Sequence, residues 1–221
     1  MSRPMLIPVR GEKILRRIAQ LVVGLVAFGT GIGLMLRSEL GLAPWDVLHQ
    51  GLARRTGLTV GTWSILVSVA VLFLWLPLRE RFGLAALVNA VTVGVTIDVT
   101  AALVTPARSW GTATAMLAGG ILLTGVGSGL YIGANLGSGP RDGLMTAIAR
   151  RGPSLRTTRT VLEISVLAAG WLLGGTVGVG TLAFAALIGP LVHLFLPIWT
   201  IDTGYPEDSW DHPRRHPTET L

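Results

Sequence analysis

Two segments of this chain carry residue types and spacings that could do chemistry in an apolar protein. Pro44-Trp45-Asp46 and Pro140-Arg141-Asp142 each stand just past a long apolar run, follow Gly41 or Gly137, and open a short amphipathic stretch ending in Arg-Arg. Pro presets φ for a first helical position, and an acid two residues later favours the positive helix end or accepts from its free N–H groups. The plain reading is that Pro and Asp merely start a helix. The sharper reading is that two half-helices aim their N-termini at one site, where Asp46 and Asp142 bind a cationic group, a proton or a hydrogen-bond donor.

Three further ionisable residues lie inside apolar runs. Asp98 and His193 occupy matching depths in the third and last runs, and neither depth is cheap for such a group, so each should turn inward. Asp98 has no basic residue at i±3 or i±4, and His193 has a side chain suited to proton relay or to interhelical hydrogen bonding. Glu163 has Arg159 four residues earlier on the same helical face, so an ion pair near the surface competes with a pathway role. Pro44, Asp46, Asp98, Pro140, Asp142, Glu163 and His193 are therefore the candidate pathway residues, and Arg141, Arg150 and Arg151 the candidate cytoplasmic basic contacts. Ser128 with His193 suggests an intramembrane hydrolase, but a rhomboid-type G-x-S-G needs glycine where Val126 stands. No enzyme activity is expected. The Gly29-x3-Gly33 and Gly125-x3-Gly129 ladders lack the strand and turn of a dinucleotide site, so they read as helix packing. Asp211, His212 and His216 have Pro213 and Pro217 interleaved among them and share no helical face, so no metal and no cofactor is expected.

The elements that must position these residues are membrane spans. Only 14% of the 221 residues are charged, against 50% hydrophobic and 29 glycines, which excludes a soluble surface. No cysteine is present, so disulfides and thiolate chemistry are excluded. Six runs are long enough to cross as helices: 18–36, 59–78, 84–105, 112–136, 157–173 and 177–198. They lack the period-two alternation of barrel strands, which makes the fold all-α. Residues 1–200 form one transmembrane domain, and 201–221 form a polar tail expected to be disordered. With the N-terminus inside, fourteen Lys and Arg side chains face the cytoplasm and four face outward. That bias places both termini in the cytoplasm, and it explains the net charge of +6 without nucleic acid.

Sliding the chain by 96 residues lays 33–62 over 129–158 with eleven identities in 30 positions. Gly24, Gly29 and Gly31 fall on Gly120, Gly125 and Gly127, and a one-residue shift later lays Gly94 on Gly189 and Asp98 on His193. The repeats, about 14–105 and 112–198, hold three spans each. An odd number of crossings forces the second to enter from the opposite side, an inverted arrangement common among secondary transporters.

The run SELGLAPWD with VLHQGLARRTGLTVGT, its echo NLGSGPRDGLMTAIARR and the later G-V-T-I-D resemble the YczE/YyaS/YitT family of bacterial integral membrane proteins, most of all its YczE members. The resemblance covers nearly all but the tail and implies a multi-pass protein of the bacterial inner membrane, with no reaction or substrate attached. The expected function is secondary transport of a small solute through the bilayer, without a nucleotide-binding Walker sequence. The alternative is a non-transporting regulator or assembly partner, docking a cytoplasmic protein or a second copy of itself.

Overall fold

The computed structural model describes residues 13–80 and 83–202. Among the described residues eight helices follow one another: α1 Ile14–Ser38, α2 Pro44–Thr56, α3 Val60–Leu78, α4 Leu84–Leu103, α5 Trp110–Gly133, α6 Pro140–Ala149, α7 Leu155–Leu172 and α8 Val179–Trp199. No strand occurs among the described residues, as the unbroken apolar runs require. Among the described residues five helices, α1, α3, α4, α5 and α8, are long and apolar enough to cross a membrane. The expected fifth of six spans, α7, is not one of these, because it starts early enough to take in Arg156 and Arg159 and carries Glu163 as well.

The helix starts follow the local chemistry. Thr59 accepts from Thr62 N at 3.1 Å and Ser154 from Thr157 N at 3.1 Å, each satisfying a free donor of α3 or α7. Both α2 and α6 begin with Pro at the first turn, preceded by Gly41 (φ +119°) and Gly137 (φ +109°), a conformation that glycine adopts without strain. The carboxylates of Asp46 and Asp142 lie in the first turns of these helices, yet no side chain caps either helix.

At the centre α1 packs against α5, with α4 on the other side of α1 and α8 on the other side of α5. Four glycines set the central crossing. A Cβ on Gly24 would lie 2.9 Å from Gly127 O, and one on Gly127 2.6 Å from Gly24 O; Gly31 and Gly120 stand in the same reciprocal relation at 2.5 and 2.7 Å. Residue numbers rise along one helix as they fall along the other, so α1 and α5 run antiparallel. The flanking pairs run parallel, with Gly29 on Thr96 and Gly33 on Thr100 in one, Gly125 on Leu191 and Gly129 on Phe195 in the other. In apolar surroundings such close backbone approach, through dispersion, is what holds helices together.

The short helices fill the flank: α2 packs on α3 and α7, and α6 packs on the same two. Backbone bonds join the halves at both ends, Ala85 N donating to Leu136 O at 3.1 Å and Gly180 N to Leu40 O at 2.8 Å. One seam differs, because α3 and α4 pack closely while α7 and α8 barely touch. Two boundary residues depart from expectation. Arg17, counted with the N-terminal flank, is buried and donates from Nε to Ala134 O at 2.9 Å, closing the end of α5. Ile201, assigned to the tail, is buried and donates to Gly133 O at 2.9 Å. The remaining tail, with its histidines and Arg214 and Arg215, lies outside the described residues, as do Arg3, Arg10 and Arg81.

Candidate functional site

The N-termini of α2 and α6 meet across a cavity of about 330 Å³, lined by Pro44, Trp45 and Asp46 from one helix and Pro140, Arg141 and Asp142 from the other. The volume is at the lower end of the roughly 300–1,000 Å³ usual for small-molecule sites. Both helices are too short to cross a bilayer, and non-helical backbone around such ends is tolerated at depth only when protein or a wet cavity surrounds it. That condition is met here, since Val47 and His49 are fully buried and Pro140 is buried with Leu144 and Met145.

Asp46 is the deepest charge, 1% exposed. Its Oδ1 faces His49 Nδ1 at 3.1 Å and Arg141 Nη2 at 3.5 Å, and the guanidinium of Arg141 lies 5.3 Å from the centre of the Trp45 ring. Arg141 thus contributes two weak attractions, one ionic and one cation–π, across the junction of the two helices. Around it three buried polar atoms have no partner: Asp46 Oδ2, Trp45 Nε1 and His49 Nε2. Burying such atoms without partners costs on the order of 1–3 kcal/mol each.

Asp142 stands in a different environment. It is exposed, and its Oδ2 accepts from Tyr131 Oη at 2.9 Å, with no cation within ion-pair distance among the described residues. Asn89 also lines the cavity and has no hydrogen-bond partner among the described residues. One end of the cavity is therefore shut over Asp46 while the other is open at Asp142.

The remaining candidates divide. His193 and Glu163 line the same cavity, and Glu163 makes the anticipated pair with Arg159, Nε to Oε1 at 2.9 Å, which places both partners on the cavity wall. Asp98 does not share that cavity with His193. It accepts from Gly61 N at 2.8 Å and Thr59 Oγ1 at 2.5 Å, tying α4 to the start of α3 beside a separate open cleft of about 740 Å³. Arg141, expected among cytoplasmic contacts, points into the cavity instead, because Pro140 starts α6 there and its first turn faces inward. Arg150 pairs with Glu80 at 3.2 Å, and Arg151 donates to Ala147 O and Leu78 O at 2.6 Å each. The other Arg-Arg does the same at its own end: Arg54 donates to Gly174 O, and Arg55 to Leu173 O at 3.3 Å. Ser128 donates to Thr124 O at 2.8 Å, and no hydrogen bond joins it to His193 among the described residues.

Sequence reasoning missed Tyr131, Asn89, Trp45 and His49. For His49 the signal was present, since it follows Asp46 at i+3 and so shares its helical face. Tyr131 was legible as a phenol inside an otherwise apolar span, Trp45 stood inside the P-x-D motif without a role assigned to it, and Asn89 gave no pattern that marked it.

Comparison with known proteins gives the chain a family and several relatives. A family model described as a family of unknown function, DUF6198, matches residues 15–197. An uncharacterized protein of Haemophilus influenzae is 42% identical over 184 residues, covering 83% of this chain and 84% of the relative. The uncharacterized membrane protein YczE of Bacillus subtilis is 35% identical, covering 79% of this chain and 82% of its own length. The uncharacterized protein YyaS of the same organism is 33% identical, with 80% and 90% covered. No solved structure matches the chain.

Proposed function

The chain belongs to the DUF6198 family, and from that premise we propose that this multi-pass membrane protein is a secondary transporter of a small solute in the bacterial inner membrane. The observation that carries the reading is the meeting of two short-helix N-termini at one cavity, with orphaned polar atoms on its floor. Transporters built from inverted repeats bind their solutes at such broken-helix junctions near the midplane.

An inverted six-span architecture is supported by the contacts. Antiparallel α1 and α5 exchange reciprocal glycine contacts, and the bonds Ala85 to Leu136 and Gly180 to Leu40 occupy equivalent places under the 95- to 96-residue shift. In this reading α7 is the fifth of six spans despite its charges. Its 18 residues reach about 27 Å as a helix, and Arg159 and Glu163 face the cavity rather than lipid. The basic bias keeps both termini in the cytoplasm. Asp46 shut in and Asp142 open are the inequality expected of one state in an alternating cycle. The regulator reading draws less support, since Arg150 and Arg151 are engaged in holding α6 to the end of α3.

The native chain has no cysteine, so single cysteines report access directly. Ser64→Cys, Met145→Cys and Val192→Cys line the cavity. In vesicles of each orientation, a membrane-impermeant thiol reagent should reach these positions from both faces. Labelling from one face only, in every ionic condition, would remove transport from consideration.

A further inference from the structure

We propose that the solute is an amphiphilic organic cation that enters the cavity sideways, through the seam between α7 and α8. This rests on the solute-binding reading of the cavity and adds the chemistry of the solute and its route. The seam is a place where the two halves differ in packing. Between α3 and α4, a Cβ on Gly94 would lie 2.5 Å from Gly61 O, and Asp98 bonds the Gly61 N–H at 2.8 Å, so that seam is closed. Between α7 and α8 the equivalent glycine, Gly189, would meet nothing within 4 Å, and both Gly189 and His193 are exposed. The packing that closes one seam is missing from the other, and the gap leads into the cavity that Gly189 and His193 line.

The walls of this opening are of two kinds. On the α8 side stand Phe184, Ile188 and Val192; on the floor stand Asp46, Asp142 and Asn89. A solute with an apolar chain and a polar head fits both at once, whereas a wholly hydrated solute gains nothing from the apolar wall. The sign of the head follows from the charges. Three carboxylates, Asp46, Asp142 and Glu163, face two guanidinium groups, Arg141 and Arg159. Arg159 is committed to Glu163 at 2.9 Å and Arg141 leans on Asp46 at 3.5 Å, which leaves Asp142 without a cation and Asp46 Oδ2 without any partner. An ammonium has three donors and no acceptor, the complement of that vacancy. An anionic head would have to compete with Asp46 for Arg141 beside a second bare carboxylate.

The test uses the purified full chain in neutral detergent micelles with radiolabelled hexylammonium, methylammonium and hexanoate. Hexylammonium should bind about tenfold or more tighter than methylammonium, because its added methylenes bury against α8, and hexanoate should not compete. Asp46→Asn and Asp142→Asn should each weaken hexylammonium by about tenfold or more. If Asp46→Asn misfolds, Asp142→Asn, at an exposed position, carries the charge test. Gly189→Phe, whose Cβ would meet nothing within 4 Å, narrows the entrance, so it should slow hexylammonium association by about tenfold. Preference for hexanoate, equal affinity for the two ammonium ions, or indifference to both carboxylate variants overturns the cation; unchanged rates in Gly189→Phe overturn the route. A cavity cysteine labelled from one face only, with hexylammonium binding intact, would end the transport reading and leave this inference standing.

Discussion

The two repeated aspartates share a P-x-D motif and stand in opposite physical situations. Asp46 is 1% exposed and held against His49 and Arg141, whereas Asp142 is exposed and bonded to a hydroxyl. If both merely favoured a helix start, replacing either with Ala would cost similarly, about 1 kcal/mol or less. The structure predicts inequality instead. Asp46→Ala removes the acceptor from a buried histidine and a half-buried guanidinium and should cost about 3 kcal/mol, while Asp142→Ala should cost under about 1 kcal/mol. Denaturant or thermal unfolding in micelles measures the difference, and equal losses would return both residues to a helix-starting role. The Pro and Asp that the motifs share do not distinguish them; the difference comes from His49 on α2 itself, from Arg141, which α6 brings to Asp46, and from Tyr131, which α5 brings to Asp142.

At the scale of elements, each short helix is seated by a small residue against a large one, with the sizes exchanged between the halves. Gly170 of α7 accepts the backbone of Val47 and Leu48 of α2, and Gly143 of α6 accepts the ring of Trp75 of α3, whose Nε1 donates to Pro140 O at 3.1 Å. Gly143→Ala would drive its Cβ into the Trp75 ring, so a loss of about 1–3 kcal/mol is expected. Trp75→Leu in the same chain should recover part of it, and the double-mutant cycle should show coupling above about 0.5 kcal/mol. Additive losses would mean that the ring and the helix are not in contact. The Arg-Arg pairs complete the seating, Arg55 on Leu173 O and Arg151 on Leu78 O, which satisfy carbonyls at helix ends. Their repetition was visible in the sequence and invited a reading as surface charge. Only the arrival of a neighbouring helix end turned them into caps.

For the whole molecule, the number of crossings is the property on which function depends, and α7 decides it. If α7 spans, both termini lie on one side; if it rests in the interface, five crossings put them on opposite sides. Tags at the two ends of the chain should both be protected in sealed right-side-out vesicles and exposed in inverted ones. Opposite accessibility would exclude the six-span reading. The central crossing gives a second test at this scale. Gly24→Leu or Gly127→Leu would force α1 and α5 apart along their whole length, and the purified chain should lose its compact, monodisperse form rather than a local contact. The same substitution at Gly189, where a Cβ would meet nothing within 4 Å, should leave the fold intact.

The sequence alone determined what local chemistry and composition can carry. Apolar runs of bilayer length called for helices, Pro at a first turn after a positive-φ glycine started the short ones, and the 96-residue echo named the glycines that pack. These follow from backbone sterics and from the solvent around the chain, which act over a few residues or one span. Tertiary structure decided everything that needs two distant segments in one place. It parted Asp98 from His193 although the repeat aligns them, turned Arg141 inward, brought Tyr131 to Asp142, and left one of two equivalent seams open. Periodicity fixes which face of a helix a residue occupies. Which helix that face meets is set by packing between helices, and two copies of one motif with different neighbours can therefore do different work.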